Sequence, residues 1–188
     1  TNNQRQCLGL ITVKDIEKSE KFPLASKDKK KSLLVGAAVG VGLDGVNRAK
    51  ALMDINCDFL VVDTAHGHSL AVIDTVKKIR SINSKITLIA GNIATEEAAI
   101  ELAKLKVNAV KVGIGPGSIC TTRVVAGIGV PQFSAIVNVK QGLKRFKGVK
   151  LIADGGIRYS GDIAKALGAG ADAVMIGSLL AGTDETPG

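Results

Sequence analysis

Ile86-Thr-Leu-Ile-Ala-Gly-Asn92, then Thr95-Glu-Glu-Ala-Ala-Ile-Glu-Leu-Ala-Lys-Leu-Lys106, then Ala109-Val-Lys-Val-Gly-Ile-Gly115 is the stretch that decides the fold. The first and third segments are short apolar runs without strict polar alternation, the pattern of a strand in a parallel sheet covered on both faces. The middle segment is amphipathic with helical spacing. Thr95 supplies a side-chain acceptor for free amides, and Glu96 and Glu97 sit where the positive end of the helix dipole favours carboxylates. One strand–helix–strand unit with parallel strands follows. The same unit recurs in both directions. Strands are expected at Leu33 to Gly40, Phe59 to Ala65, Val149 to Gly156 and Ala173 to Leu180, and helices at Gly45 to Asn56 and Leu70 to Ser81. The spacing is near-regular except between the fourth and fifth strands, where a loop from Pro116 to about Gln132 is inserted. Insertions of that kind tend to carry function.

Repeated βα units build either an open doubly wound sheet or a closed eight-fold barrel, and both place ligands at the carboxyl ends of the strands. Here those ends carry Asp63, Asn92, Gly113 to Gly117, Asp154 to Gly156, and Gly177 with Ser178. The expected class is α/β, a TIM (β/α)8 barrel. A full barrel takes about 250 residues, so 188 residues with six repeats predict about six of the eight strands, in an incomplete catalytic domain over 32–188. Residues 1–31 stand outside the rhythm. Their apolar run Cys7 to Val13 and charged stretch Lys14 to Lys31 read as a lead-in segment and linker.

Twenty-five Lys and Arg against 17 Asp and Glu leave a net charge of +8. The lysines are spread over helix faces, stacking aromatics are almost absent and no nucleic-acid motif is present, so nucleic acid is not the expected partner. The positive field suits phosphorylated small molecules. No apolar run approaches the length of a membrane span and no signal sequence opens the chain, so a soluble cytoplasmic protein is expected. In that setting three cysteines, Cys7, Cys57 and Cys120, are expected to be free thiols.

Chemistry concentrates in Val112-Gly-Ile-Gly-Pro-Gly-Ser-Ile-Cys-Thr-Thr-Arg123. Its three glycines let the backbone turn sharply and approach a ligand. Cys120 has hydroxyls at Ser118, Thr121 and Thr122 and a cation at Arg123, neighbours able to favour the nucleophilic thiolate. Cys7 and Cys57 have no such surroundings and read as inert. Gly155, Gly156, Gly177 and Ser178, after the last two strands, are positioned to offer amides to a phosphate. Asp154, whose charge repels phosphate, is assigned to a ribose diol. Asp63-Thr-Ala-His-Gly-His68 holds two imidazoles and an acid but too few ligands for a catalytic metal. Asp63 is expected to face a second ligand, with Asn92 sharing that duty. A dinucleotide would be bound without a Rossmann fingerprint, since no G-x-G-x-x-G opens a helix after a strand.

Together these residues resemble the inosine 5′-monophosphate dehydrogenases. The likeness runs from about Gly9 to Gly188 through Gly9-Leu-Ile-Thr-Val-Lys-Asp-Ile16, Val35-Gly-Ala-Ala-Val-Gly40, Asp63-Thr-Ala-His-Gly-His-Ser69, the Cys120 loop with Gly127-Ile-Gly-Val-Pro-Gln132, Ala153-Asp-Gly-Gly-Ile-Arg-Tyr-Ser-Gly-Asp162 and Gly177-Ser-Leu-Leu-Ala-Gly182. The resemblance implies oxidation of IMP to XMP with NAD, on the way to guanine nucleotides. It makes Cys120 the nucleophile and gives Thr122 a part in placing water. It assigns Ser118, Gly156, Gly177 and Ser178, with Gly155 beside them, to the IMP phosphate and Asp154 to the ribose. The NAD side would be lined by Asp63, Thr64, Ala65, Asn92 and Gly113, and potassium held by carbonyls of Gly115, Gly117 and Cys120. A homotetramer is implied. The family's first two barrel strands, its mobile flap with an Arg-Tyr pair, its C-terminal cation segment and its CBS module have no counterpart in these 188 residues. The polar start Thr1 to Gln6 would mark the CBS position. GMP reductase, which shares the barrel and the cysteine loop, is the nearest alternative. His66, His68 and Gly177 to Gly182 favour the dehydrogenase. A non-catalytic phosphate-ligand or nucleic-acid-binding barrel is the alternative of another class.

Overall fold

A computed structural model describes residues 1–186 in two compact units, the first Thr1–Leu34 and the second from Val35 onward. The first unit holds a helix, α1 (Val13–Lys21), where only a linker is expected from the charge run. Its origin is local. The Asp15 amide donates to Thr12 Oγ1 at 3.3 Å, and the Thr12 amide donates to Asp15 Oδ2 at 2.8 Å, so each end residue satisfies the other's free backbone group. These bonds from Thr12 hold the Asp15 carboxyl below its ordinary value. The Thr-x-x-Asp signal was present in the sequence but is masked by the surrounding lysines.

The second unit contains β1 (Gly36–Val39), α2 (Gly42–Asp54), β2 (Phe59–Asp63), α3 (Leu70–Ile82), β3 (Thr87–Ile93), α4 (Glu96–Lys104), β4 (Ala109–Val112), the one-turn α5 (Thr122–Val125), α6 (Gln132–Leu143), β5 (Lys150–Asp154), α7 (Ser160–Gly168) and β6 (Ala173–Met175). All five neighbouring pairs are parallel and the strands pair in chain order, β1 to β6. That order separates the two topologies that the βα rhythm allows. A doubly wound sheet reverses its order at a switch point, whereas a barrel adds each strand beside the last. Six parallel strands with their helices form an open part of a barrel, as expected.

Burial alternates along β2 and β5, whereas β4 is buried throughout. Leu60, Val62, Leu88, Ala90, Val110, Val112 and Leu151 are completely buried and belong to one core with Val72, Val76 and Ile79 of α3, Leu102 of α4 and Ile136 and Val139 of α6. Their neighbours Val61, Ile89 and Ile152, on the opposite face, are only half-buried. The apolar runs predict cover on both faces; the structure covers both faces of β4, but on β2 and β5 it gives full cover on the helix side only. Helices α4 and α6 meet at Gly142, where an added Cβ would lie 2.6 Å from the Glu96 carbonyl oxygen. The two outer strands are shorter than expected. β1 begins at Gly36 rather than Leu33, and the Leu34 amide donates instead to Ser26 O. β6 ends at Met175 rather than Leu180, and the Leu180 amide folds back to Gly177 O at 3.0 Å. Among the described residues each pairs on one side only. Among the described residues no helix is long and apolar enough to cross a membrane.

Replacing Leu102, which is completely buried, by alanine is expected to cost about 2–5 kcal/mol through lost burial and a residual cavity. The exposed Lys104→Ala, on the same helix, should stay within about 0.5 kcal/mol. Urea unfolding followed by circular dichroism compares the two.

Candidate active site

Because every strand runs the same way, their carboxyl ends converge on one edge, and the residues singled out above lie there. The Asp63–His68 turn is pinned to the end of β3. Thr64 donates its amide and its hydroxyl to Gly91 O at 2.9 and 3.0 Å, Asn92 donates its amide to Thr64 O at 2.8 Å, and Gly67 donates to Asn92 O at 2.7 Å. His68 Nε2 meets Glu101 Oε2 of α4 at 2.6 Å, so this imidazole ties the turn to the neighbouring helix. Among the described residues no group of three or more His, Cys, Asp and Glu is placed to hold a metal ion.

Two adjoining cavities open at this edge. The first, of about 300 Å³, is lined by Asp63, Thr64, Ala65, Asn92, Lys111, Gly113, Ile114, Gly115, Cys120 and Thr122. The second, of about 440 Å³, is lined by Gly117, Ser118, Asp154, Gly155, Gly156, Gly177 and Ser178, with Ile157, Met175 and Leu180 among its apolar contacts. The two residue sets that the sequence assigns to different ligands therefore fall into different cavities, joined by the Cys120 loop. Along the second cavity the amides of Gly155, Gly156, Gly177 and Ser178 donate to no acceptor among the described residues. Converging free amides of this kind suit a phosphate.

Cys120 is half-buried, with Sγ 3.3 Å from Thr122 Oγ1. The thiol donates across that distance; as a thiolate it accepts from the hydroxyl. Hydrogen bonds from the Thr122 hydroxyl and amide are the main cause that lowers the Cys120 pKa, partly opposed by burial, with the Arg123 charge a smaller aid. Sequence proximity gives Arg123 more weight than the structure does. Its guanidinium is spent on the loop, donating to Ile114 O at 3.3 Å and Val130 O at 2.6 Å. Arg123 thus folds the loop that carries the cysteine.

The residue that sequence reasoning missed is Lys111. It lies in the middle of β4, only 5% exposed, and its ammonium forms an ion pair with Asp63 Oδ1 at 2.9 Å and donates to Asp154 Oδ2 at 2.6 Å. Burial works against the charged form, but hydrogen bonds to Asp154 and Asp63 and their charges outweigh it, so the Lys111 pKa lies above its ordinary value. Its contribution to stability is therefore full at neutral pH and is lost only as pH rises through that raised value. The signal was a single cation inside an otherwise apolar strand. Asn92 donates Nδ2 to Asp154 Oδ2 at 2.9 Å and to Gly113 O at 2.9 Å, so it braces Asp154 while lining the same cavity as Asp63. Gln132, at the start of α6, joins β4 to β5 by donating Nε2 to Val112 O at 2.8 Å and Asp154 O at 3.2 Å. Gly113 adopts φ +148°, and an added Cβ would lie 2.2 Å from Asp154 O; only glycine allows this approach.

Fold and site define an open parallel (β/α) barrel with a half-buried thiol on the loop that adjoins two cavities at the carboxyl ends of its strands. The family model described as the IMP dehydrogenase / GMP reductase domain matches residues 5–188, and the chain belongs to that family. It is 56% identical over 187 residues to an inosine-5′-monophosphate dehydrogenase of Bacillus subtilis, covering 100% of this chain and 38% of the relative. It is 58% identical over 180 residues to the enzyme of that name from Staphylococcus aureus, covering 96% and 37%. The chain thus spans little more than a third of those relatives. Among solved structures it is similar to a cysteine-to-alanine variant of GMP reductase from Trypanosoma brucei, with a TM-score of 0.88 and 50% identity, covering 100% of this chain and 43% of that one. The same variant in complex with guanosine 5′-monophosphate gives a TM-score of 0.87 at 52% identity, covering 95% and 37%.

A lowered thiol pKa means more thiolate at any given pH. The alkylation of Cys120 by iodoacetamide should therefore rise with pH around an inflection below the ordinary cysteine range. Thr122→Val should move the Cys120 inflection up. Mass spectrometry of the Cys120 peptide reads the rate in both proteins.

Proposed function

We propose that this chain carries the catalytic site of an NAD-dependent IMP dehydrogenase. The observation that carries the reading is the placement of Cys120 on a loop between two cavities whose residue sets match an IMP side and an NAD side. In this reading the nucleotide phosphate takes the free amides of Gly155, Gly156, Gly177 and Ser178, with Ser118 beside them, and its ribose takes Asp154. The Cys120 thiolate attacks C2 of the hypoxanthine ring and the C–S bond forms. The hydrogen on C2 leaves with its electron pair, and water then hydrolyses the thioimidate to XMP, restoring the thiol. Division into two steps lowers each barrier. Thr122 stabilises the thiolate first and helps hold the attacking water later.

NAD supplies the hydride acceptor. The first cavity fits its nicotinamide riboside: Asp63 offers a carboxylate, and Asn92 Oδ1 is a buried acceptor with no partner among the described residues. Thr64, Ala65 and Gly113 complete that wall. Carbonyls of Gly115, Gly117 and Cys120 suit a monovalent cation chemically. The Gly117 carbonyl already accepts the Cys120 amide at 3.1 Å, so these three alone fall short of a full oxygen shell. No step is drawn through that ion. The family likeness by itself extends the reading to a cytoplasmic homotetramer.

A second reading, GMP reductase, is favoured by the likeness to the two solved structures of that enzyme. The test is to mix the intact protein with IMP and NAD in potassium buffer and to follow NADH from the first turnover. A burst of NADH that vanishes in Cys120→Ala is expected. No NADH, with NADPH consumed on GMP instead, would establish the reductase.

A further inference from the structure

The register of three strands explains how one lysine reaches two carboxylates. Asp63 of β2 pairs with Gly91 of β3, and Gly91 pairs with Lys111 of β4. Neighbouring strands lie about 4.8 Å apart, so Asp63 and Lys111 stand two spacings apart with residue 91 between them. Gly91 leaves that path open; an added Cβ would lie 2.7 Å from Lys111 Cβ and 2.6 Å from its carbonyl oxygen. On the other side Lys111 pairs with Ile152, two residues before Asp154 and on the same face of β5. The ammonium thus engages one oxygen of each carboxylate, Asp63 Oδ1 and Asp154 Oδ2. The second oxygen of each, Asp63 Oδ2 and Asp154 Oδ1, has no partner among the described residues. Asp63 lines the first cavity and Asp154 the second.

We propose that Lys111 is a positioning residue that couples the two ligand sites: by holding one oxygen of each carboxylate it presents the other to a ribose hydroxyl, so that a ligand in either cavity tightens the other. The proposal rests on the reading that the Asp154 cavity takes the nucleotide and the Asp63 cavity the dinucleotide. The physical basis is shared order. A ribose bonded to Asp154 fixes that carboxylate and, through the ammonium it grips, Asp63, so the second ligand meets a carboxylate already in place. The coupling is reciprocal by thermodynamic necessity.

The measurement is calorimetric titration of the intact protein in a Cys120→Ala background, which prevents turnover, with IMP and NAD each titrated alone and in the presence of the other. In that background each ligand is expected to tighten the other by about tenfold. Adding Lys111→Met should weaken both ligands and bring the coupling factor to about one. Lys111→Arg, which keeps the charge, should recover part of the coupling, a rescue that general loss of structure would not give. If Lys111→Met does not fold, Asp63→Asn replaces it: IMP affinity should fall although Asp63 lies in the other cavity. Retained coupling in Lys111→Met, an effect on one ligand alone, or unchanged IMP affinity in Asp63→Asn overturns the proposal while leaving the functional reading intact. Binding of neither ligand without any Lys111 substitution overturns both.

Discussion

Parallel pairing in chain order governs this molecule. When each strand adds beside the previous one in the same direction, all carboxyl ends fall on one edge and every connecting helix returns along the other side. The polar residues at those ends, Asp63, Asn92, Gly113 and Asp154, are then brought to one rim although they lie far apart in sequence. The ladder also fixes their relative heights. The shift between Gly91 and Ile93 in the β3–β4 pairing places Asn92 where its amide reaches both Gly113 O and Asp154 Oδ2.

Chemistry at this rim depends on charge set against burial. Two carboxylates close to one buried ammonium would be costly as isolated ions, but each is paired and hydrogen-bonded, which offsets the desolvation. The Cys120 thiol, by contrast, is tuned by hydroxyl and amide donors from Thr122 more than by a cation. Arg123 serves backbone carbonyls and shapes the loop. Donors and acceptors fixed on the sheet, with the cysteine on a glycine-rich insertion, follow the usual division between scaffold and functional loop.

Much of the fold was legible in the chain itself. The strand at Phe59, the helices at Leu70 and Thr95 and the interruption after Gly115 announce themselves through apolar periodicity, a cap and a glycine run. The edges were harder. β1 and β6 stop short of the apolar runs because the Leu34 and Leu180 amides turn to Ser26 O and Gly177 O, which no local hydrophobic pattern encodes. α1 was hidden because its lysine-rich composition resembles a linker, while the bonds that start it involve Thr12 and Asp15 alone.

Sequence by itself determined the βα rhythm, the reactive loop around Cys120 and the residue types at the strand ends, because these depend on neighbours along the chain. Only the tertiary structure decided the strand order, the sorting of the end residues into two cavities and the pairing of Lys111 with Asp63 and Asp154. Those depend on register between strands: a cation in an apolar strand acquires a meaning only when Gly91 leaves the gap that lets it reach Asp63 on one side and Asp154 on the other.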